Sequence, residues 1–505
     1  MKKIVLLLTF SLGCLSLQAQ DITDAFRYGN TDTKGSARIQ AMSGAFGALG
    51  GDVSAISINP ASSSVLLSSS ANISFSNLST ENNTTYYNGE TEKSDNDFNL
   101  NQAGASFIFN AQNSDNDWNK FSFGVNYAKS NNYDDNFSAI GNSPNSIDQY
   151  FLDYAQGVPL KLLKTQSGES ISDLYRYLGE NESFGAQQAY LGYEGYIINP
   201  VDELDNNNID YNSSIFGNNF SQDYTYLSTG VNGKLSFNFS TEFQKKLYLG
   251  INLNSHIINF DKTTRFYERN INQNSKVDEI AFENTLSTDG NGFSAQIGGI
   301  YKINNMFRVG ITYDTPTWYS IEEENTQRIR THIVQTNENI NINPDIVNVY
   351  PEYDLRTPGK IALSAATVLG KSGLISFDYS YKDFGNTKFD SDGTNSYFST
   401  QNDIISEQLG AVSTYRIGGE YRIKDLSLRA GYHYQDSPYK DKKTYSDVNS
   451  YSAGIGYNFG ALKFDVAYVN TQYSESMKLY QVGLTDRATV DRDNSSLVFS
   501  LTFGL

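Results

Sequence analysis

The last nine residues of this chain alternate strictly between two kinds of side chain. Leu497, Phe499, Leu501, Phe503 and Leu505 share one face, with valine, serine, threonine and glycine between them. A period of two indicates a β-strand. After the first twenty residues, the sequence has no apolar run long enough to span a membrane as a helix. A sheet crosses a bilayer only as a closed barrel, because lipid cannot satisfy an open strand edge. The pattern therefore predicts an outer-membrane β-barrel.

The composition supports a barrel over other classes of protein. The chain has 505 residues, with 36 Tyr and 30 Phe but only 9 Pro. Its mean hydropathy of -0.46 is too polar for a helical membrane protein. A barrel tolerates this value, because only alternate strand residues contact lipid. The formal net charge of -18 argues against a nucleic-acid partner.

The first twenty residues have the pattern of an export signal. Lys2 and Lys3 precede an apolar stretch at residues 4–12, and Ala19 follows at the spacing of a signal-peptidase site. We expect residues 1–20 to be cleaved. Cys14 is the only cysteine, and its surroundings match a lipoprotein box poorly. The mature chain is thus expected to contain neither a disulfide nor a thiol nucleophile.

The lengths of the connections between strand candidates predict the topology. Short polar junctions occur at residues 110–119, 243–246, 302–306, 369–373, 423–426 and 458–462. Seven long connections separate them, among them residues 79–97 and 262–281, and the largest spans residues 131–223. Short periplasmic turns and long extracellular loops are typical of bacterial barrels. Six turns and seven loops predict about fourteen antiparallel strands over residues 71–505.

A Gly-x-x-Tyr pattern recurs in four strand candidates. It begins at Gly124, Gly310, Gly418 and Gly454. We interpret the glycines as easing strand curvature and the tyrosines as part of an aromatic girdle at the membrane interface.

A barrel of this size requires something inside it. About fourteen strands leave a hole unless the lumen is filled. Residues 21–70, between the signal and the first strand, are rich in glycine, alanine and serine, which allow close helix packing. We predict that this segment is a helical plug. The alternatives are a disordered leader and a phosphate loop at Gly47 to Gly51, although the lysine of such a loop is missing.

Three motifs resemble one family. The segment from Gly44 to Ala61, the Thr357 to Lys360 segment and the Leu428 to Tyr432 segment are similar to the FadL-type outer-membrane transporters of long-chain fatty acids and aromatic hydrocarbons. The resemblance implies a fourteen-stranded barrel with an N-terminal hatch, residues 21–70, inside the lumen. The hatch and gating residues that it implies are Phe46, Asp52, Asn59, Pro60 and Ala61.

The resemblance also implies transport of hydrophobic small molecules, long chain fatty acid-like, by capture outside, hatch movement and lateral release. Polar residues predicted to face the lumen favour such a side exit, and they are Arg416, Glu420, Arg429, Lys463 and Asp465. A hydrocarbon would lose about 0.8 kcal/mol per CH2 on passing along this wet wall. Two alternatives remain open: a general aqueous porin, and an accessory barrel docked to a protein partner in a secretion or assembly complex.

Capture is predicted in the largest loop, where apolar residues follow a helical period. Ile147, Tyr150, Phe151 and Tyr154 lie at i, i+3, i+4 and i+7. Amphipathic segments here could form an apolar groove over the barrel mouth. The predicted ligand contacts are Phe151, Leu152, Tyr154, Leu160, Leu163, Leu174 and Tyr177. The alternative is that these residues only pack the loop helices.

No catalytic, metal or cofactor site is predicted. His256, His332 and His433 are far apart in sequence and have no ligand spacing around them. An esterase remains an alternative, because Ser and His on neighbouring strands could meet in space. The expected partners are therefore a hydrophobic ligand, outer-membrane lipid and lipopolysaccharide, and not nucleic acid.

Overall fold

The computed structural model describes residues 21–31, 34–112, 117–272, 274–390 and 396–505. The predicted export signal, including Cys14, lies outside this range. Among the described residues, no helix combines the length and apolar character needed to cross a membrane.

The strands follow one another along the chain after a short helical region. They are β1 (Ser70–Tyr86), β2 (Gly89–Asn110), β3 (Trp118–Asn132), β4 (Asp135–Ser143), β5 (Ile198–Pro200), β6 (Tyr211–Ser213), β7 (Phe220–Phe243), β8 (Leu247–Asn270), β9 (Val277–Lys302), β10 (Phe307–Asp314), β11 (Trp318–Ile333), β12 (Glu338–Ile342), β13 (Asn348–Val349), β14 (Tyr353–Arg356), β15 (Lys360–Leu369), β16 (Gly373–Asp383), β17 (Lys388–Asp390), β18 (Ala411–Ile423), β19 (Leu426–Gln435), β20 (Val448–Asn458), β21 (Leu462–Lys478) and β22 (Arg487–Gly504).

The helices lie at the N-terminus and in the extracellular connections. They are α1 (Ile22–Gly29), α2 (Ala37–Gln40), α3 (Asp148–Ala155), α4 (Leu160–Leu163), α5 (Ile171–Asn181), α6 (Phe184–Glu194) and α7 (Ser396–Gln408), with 3-10 helices at Val53–Ser57, Pro60–Val65 and Phe384–Asn386.

Fourteen of the strands form one closed antiparallel ring. The order is β1, β2, β3, β7, β8, β9, β10, β15, β16, β18, β19, β20, β21, β22 and back to β1. Each of the six predicted short junctions separates two consecutive strands of this ring. The predicted fold class is therefore confirmed, including the predicted faces of the last strand. In β22, Leu497 and Phe503 are exposed towards lipid, while Val498 and Ser500 are buried inside.

Two predicted loops are wrong, because the strands continue through them. β1 and β2 pair through residues 79–97 and turn only at Tyr87 and Asn88. Likewise, β8 continues to Asn270 and β9 already begins at Val277. The reason is that the strands extend beyond the membrane, where both faces carry threonine, asparagine and charged residues. Apolar alternation, the signal used to find strands, is absent there.

The space inside the ring is filled from both ends. The hatch, residues 21–70, lies inside the lumen, and Ile39, Met42 and Phe46 form an apolar cluster with Ala366 and Leu374 of the wall. At the extracellular end, residues 144–219 form a compact unit of α3 to α6 with the small sheet of β5 and β6. We call this unit the lid. Its helices α3 and α5 confirm the helical period found in the largest loop.

Candidate functional site

The predicted hatch residue Phe46 lies at the point where the hatch backbone meets the wall. The N–H groups of Phe46 and Gly47 both donate to Oδ2 of Asp378 on β16, over 3.0 and 2.8 Å. Phe46 is fully buried, and the guanidinium of Arg38 lies 5.2 Å from the centre of its ring. The wall carboxylate therefore positions two consecutive peptide groups of the hatch.

The other predicted hatch residues determine the local shape of the segment. Asp52 caps the 3-10 helix Val53–Ser57, accepting from the Ser54 N–H over 3.0 Å. Asn59 caps the next 3-10 helix, of which Pro60 is the first residue. Oδ1 of Asn59 accepts from the Ala61 N–H over 3.1 Å.

Asn59 also connects the hatch to itself and to the wall. Its amide donates to the Gly47 carbonyl over 2.7 Å and to the Gly299 carbonyl of β9 over 3.2 Å. One side chain thus joins two hatch segments to a barrel strand. This contact explains structurally why an Asn-Pro-Ala signature stands at this point.

A buried ion cluster attaches the hatch to the strands that follow β16 in the ring. Nε of Arg38 lies 2.9 Å from Oε2 of Glu420 on β18, a side chain with no exposed surface. Nε of Arg429 lies 2.7 Å from the same oxygen, and its Nη1 lies 2.6 Å from Oδ1 of Asp465. Three of the inward charges predicted from the strand pattern, Glu420, Arg429 and Asp465, are therefore engaged with one another and with Arg38 of the hatch.

Glycines of the wall make room for the hatch backbone. A Cβ on Gly250 would lie 2.4 Å from the Pro60 carbonyl carbon, and one on Gly310 would lie 2.4 Å from the Gly47 oxygen. The same close approach to the hatch is found at Gly124, Gly298, Gly418, Gly431 and Gly454. The Gly-x-x-Tyr glycines therefore do more than ease curvature, because they form the surface on which the hatch is seated.

Four of the predicted ligand contacts lie in a closed apolar core. Phe151, Leu160 and Leu163 have no exposed surface, and Leu174 is 5% exposed. They share one cluster with wall residues of β7, β8, β9, β11 and β22. Leu152 and Tyr154 pack against its edge, whereas Tyr177 is 46% exposed and stays outside it. In this closed arrangement the residues pack the lid onto the barrel mouth.

A cavity of about 260 Å³ lies beneath the lid, next to α1. Its aromatic and aliphatic lining consists of Phe26, Leu78, Tyr133, Tyr226, Phe260, Tyr445, Val448, Val469, Tyr473, Met477 and Val498. Arg27, Lys34, Lys129 and Arg492 contribute positive charge and Asp134, Asp135 and Glu475 negative charge. We call this space the gap cavity, for the reason given next.

The barrel wall is interrupted beside the gap cavity. The pairing of β2 with β3 ends at Gln102 and Ala128, whereas β2 continues to pair with β1 up to Gly89. The chain bends between β3 and β4. Among the described strands, β4 pairs with β7 alone, and it packs against the β1–β2 hairpin. Asn99, Asn101 and Asn131 line the cavity at this interruption.

A second space, of about 100 Å³, lies on the other side of α1. Six cationic side chains line it, namely Lys34, Lys129, Lys234, Lys360, Lys382 and Arg416, against the acids Asp314 and Asp378. Lys360 pairs with Asp314 at 2.9 Å, and Lys382 donates to the Gly29 carbonyl over 2.6 Å. Within the described part of the chain, the side chain of Lys234 makes no hydrogen bond or ion pair. We call this space the lysine cavity.

A comparison with protein families decides the class of this barrel. The family model described as outer membrane protein transport protein (OMPP1/FadL/TodX) matches residues 206–505, more than half of the chain. The chain belongs to this family. It is accordingly a transport barrel of the bacterial outer membrane. No curated protein sequence matches it.

Solved structures agree with the FadL/TodX assignment at the level of the fold. A Pseudomonas aeruginosa FadL homologue has 11% sequence identity and a TM-score of 0.54, with 94% of this chain and 99% of that chain covered. The Pseudomonas putida toluene transporter TodX has 12% identity and a TM-score of 0.52, with the same coverage of both chains. At such identities the likeness concerns the fold alone.

Two histidines of this FadL/TodX-family chain have different polar neighbours: Nδ1 of His332 lies 2.6 Å from Oδ1 of Asp278, whereas His256 contacts a serine. His256 and Ser294, on neighbouring strands, do meet, with 2.8 Å between Nε2 and Oγ. The other ring nitrogen faces the Tyr319 hydroxyl at 3.4 Å instead of a carboxylate. Lys234 and Lys382 line the same cavity and oppose a positive charge on the ring. A general base must accept such a charge. Among the described residues, no group of three or more His, Cys, Asp or Glu is placed to hold a metal ion.

Three features of this family member were missed by sequence reasoning. The lysines of the lysine cavity stand singly on separate strands and resemble the ordinary polar face of a wet lumen. Arg38 and Glu420 are 382 positions apart, so only the fold brings them together. The interruption between β2 and β3 depends on pairing, for which Gln102 and Ala128 carry no local signal.

Proposed function

We propose that this barrel transports hydrophobic small molecules with an acidic head, of the long chain fatty acid-like kind, and releases them sideways into the outer membrane. Capture occurs beneath the lid, the hydrocarbon occupies the gap cavity, and the head is held in the lysine cavity. The observation that carries the proposal is the position of the aromatic gap cavity, which lies directly beside an interruption in the wall and above a seated hatch.

The chemistry of the two cavities supports an amphiphile over a neutral solute. Aromatic side chains of the gap cavity keep a hydrocarbon away from water, which is worth about 0.8 kcal/mol per CH2. The lysine cavity has four more cationic than acidic side chains, six against two. A half-buried ammonium without a hydrogen-bond partner, such as that of Lys234, is stabilised by an incoming carboxylate.

The hatch supports lateral release over passage into the periplasm. It touches wall glycines on seven of the fourteen strands, through its backbone on four of them and through side chains on three, so the seated hatch fills this part of the lumen. An aqueous porin is disfavoured for the same reason. Toluene transport is a property of a structural relative, TodX. For this chain the lysine cavity favours an acid.

The acidic head can be tested with a pair of ligands. We expect the double variant Lys234→Met, Lys382→Met to bind hexadecanoate at least about tenfold more weakly, because a hydrogen bond to a charged group contributes about 1.5–3 kcal/mol. Binding of hexadecanol should stay unchanged. Displacement of a bound fluorescent fatty acid from the purified barrel measures both. Lys424→Met, in a periplasmic turn, is the control. An equal loss of affinity for hexadecanoate and hexadecanol would contradict the proposal that the acidic head binds in the lysine cavity.

The side exit can be tested by filling the interruption in the wall. Asn99 of β2 lines the gap cavity, and its neighbour Phe98 is 64% exposed on the outer face. We expect Asn99→Trp to reduce hexadecanoate uptake by cells about fivefold or more, because an indole obstructs the opening. The matched Phe98→Trp should transport normally. If both variants transport equally well, the exit lies elsewhere.

A further inference from the structure

One buried carboxylate connects the lid to the barrel. Glu268 stands near the extracellular end of β8 and is 1% exposed. β8 has 24 residues. A membrane-spanning strand uses about 9–11 residues. Counted from the periplasmic end at Leu247, Glu268 therefore lies well beyond the membrane.

All three hydrogen bonds to this carboxylate come from the lid entry or from the neighbouring strand. The Ser146 hydroxyl donates to Oε1 over 2.5 Å, and the Ile147 N–H donates to Oε2 over 3.1 Å. Nε2 of Gln222 on β7 donates to the same Oε2 over 2.7 Å. Ser146 and Ile147 directly precede α3, so Glu268 fixes the start of the first lid helix.

That helix carries the aromatic side chains that close the mouth. Phe151 packs on Phe282 of the wall with 5.3 Å between ring centres. Tyr150 packs on Tyr480, in the connection between β21 and β22, at 4.9 Å. A shift of α3 would separate both contacts at once. The position of α3 therefore decides whether the mouth is closed.

The surroundings of Glu268 contain no countercharge in the described part of the chain. The titratable groups facing it are Asp148 of α3, Tyr86 of β1 and Tyr480. Asp148 is itself buried and accepts a hydrogen bond from Ser213 of β6. A second acid thus faces the first across the lid entry.

We propose that Glu268 is a proton-dependent latch, which holds the lid closed when it is protonated and loosens the lid when it is ionised. The inference concerns the lid itself. It rests on the proposed function in one respect: lid opening would admit a ligand to the cavities below.

Burial gives the direction of the effect. It raises the pKa of Glu268 to about 7 despite the three donors, and it also raises the pKa of Asp148. In the open lid, Glu268 contacts water and its pKa returns to about 4.5. The protonated latch thus stabilises closure fully below about pH 4.5, and this contribution is lost as the pH rises through about 7. By linkage, the equilibrium between closed and open lid shifts towards opening on the order of a hundredfold across that window.

Lid opening can be measured by cysteine labelling without a ligand. Ala155→Cys places a thiol on the buried face of α3, and Asn207→Cys places one on the exposed lid surface. A membrane-impermeant maleimide is added to intact cells at about pH 5 and about pH 8.5. The ratio of labelling at position 155 to that at position 207 cancels the pH dependence of the reagent. We expect this ratio to rise at least about tenfold with pH.

Two carboxylate replacements distinguish the latch from a general effect of pH. In a Glu268→Gln background the ratio should stay low at both pH values, because the amide resembles the protonated acid. Asp148→Asn should reduce the rise in part. Glu283→Gln removes a half-buried carboxylate on β9, which is paired with Arg265 and Arg328 and does not contact the lid entry, and should leave the rise intact. A flat ratio in the unchanged protein, or the same rise in Glu268→Gln, would overturn the latch. Because no ligand is used, failure of the latch and failure of the transport proposal are separate results.

Discussion

Replacing Glu420 with glutamine is expected to unseat the hatch and convert the closed barrel into an ion-conducting pore. The Glu420 side chain has no exposed surface and receives Arg38 of the hatch, Arg429 of β19 and Arg422. Its removal leaves buried guanidinium groups without their shared carboxylate. Breaking a buried pair in this way costs about 3–5 kcal/mol. Because Arg38 belongs to the hatch, much of this free energy is lost from the state in which the hatch is bound inside the lumen.

Planar bilayers provide the measurement for this variant. The unchanged barrel should show little conductance, while Glu420→Gln should show large openings during most of the recording. Arg422→Gln is the matched control. It touches the same carboxylate, but its side chain is 41% exposed, and a partly exposed pair contributes about 0–1 kcal/mol. Low conductance from correctly assembled Glu420→Gln barrels would show that the ion cluster does not retain the hatch.

Much of the architecture follows from alternation in the membrane-spanning residues. Lipid imposes apolar side chains on every second position there, so Leu497 to Leu505 and the six short turns are recognisable from sequence. Beyond the membrane that constraint ends. The upper parts of β1 and β2 carry residues such as Thr84 and Glu92 on both faces, and their pairing is visible only in three dimensions. This is why residues 79–97 are predicted as a loop and fold as strands.

The candidate site is less predictable, because its features depend on the distance between remote residues. The spacing of the apolar lid residues predicts a buried surface. It does not distinguish a packed core from a ligand groove, because both have the same sequence pattern. Phe151 and Leu163 lie in the packed core, and their role as ligand contacts stays a prediction. Lys234 and Lys382 come from β7 and β16, and neither has a neighbour in sequence that marks it as part of a cavity. For Glu268, burial arises from segments that are remote in sequence, among them the lid entry and Gln222 of β7.

Replacing a wall glycine is expected to have the second large effect, and the adjacent glycine provides a closely matched control. Gly298 and Gly299 are adjacent on β9, and they face opposite sides of the wall. A Cβ on Gly298 would lie 2.2 Å from Oδ1 of Asn59 and 2.7 Å from Cδ of Pro60, whereas on Gly299 the nearest atom is 3.5 Å away. Valine suits a strand at either position, so intrinsic strand propensity does not separate the two variants.

We expect Gly298→Val to displace the hatch, and Gly299→Val to leave it in place. Overpacking alone costs about 1–3 kcal/mol. Moving Asn59 also removes its bonds to the Gly47 and Gly299 carbonyls, each worth about 1 kcal/mol. Cells carrying Gly298→Val should become permeable to large hydrophilic antibiotics, while those carrying Gly299→Val should resist them as before. Equal resistance, with both barrels present in the membrane, would mean that the hatch tolerates a side chain at its seat. The close contact between Asn59, Pro60 and the wall would then have no part in keeping the lumen closed.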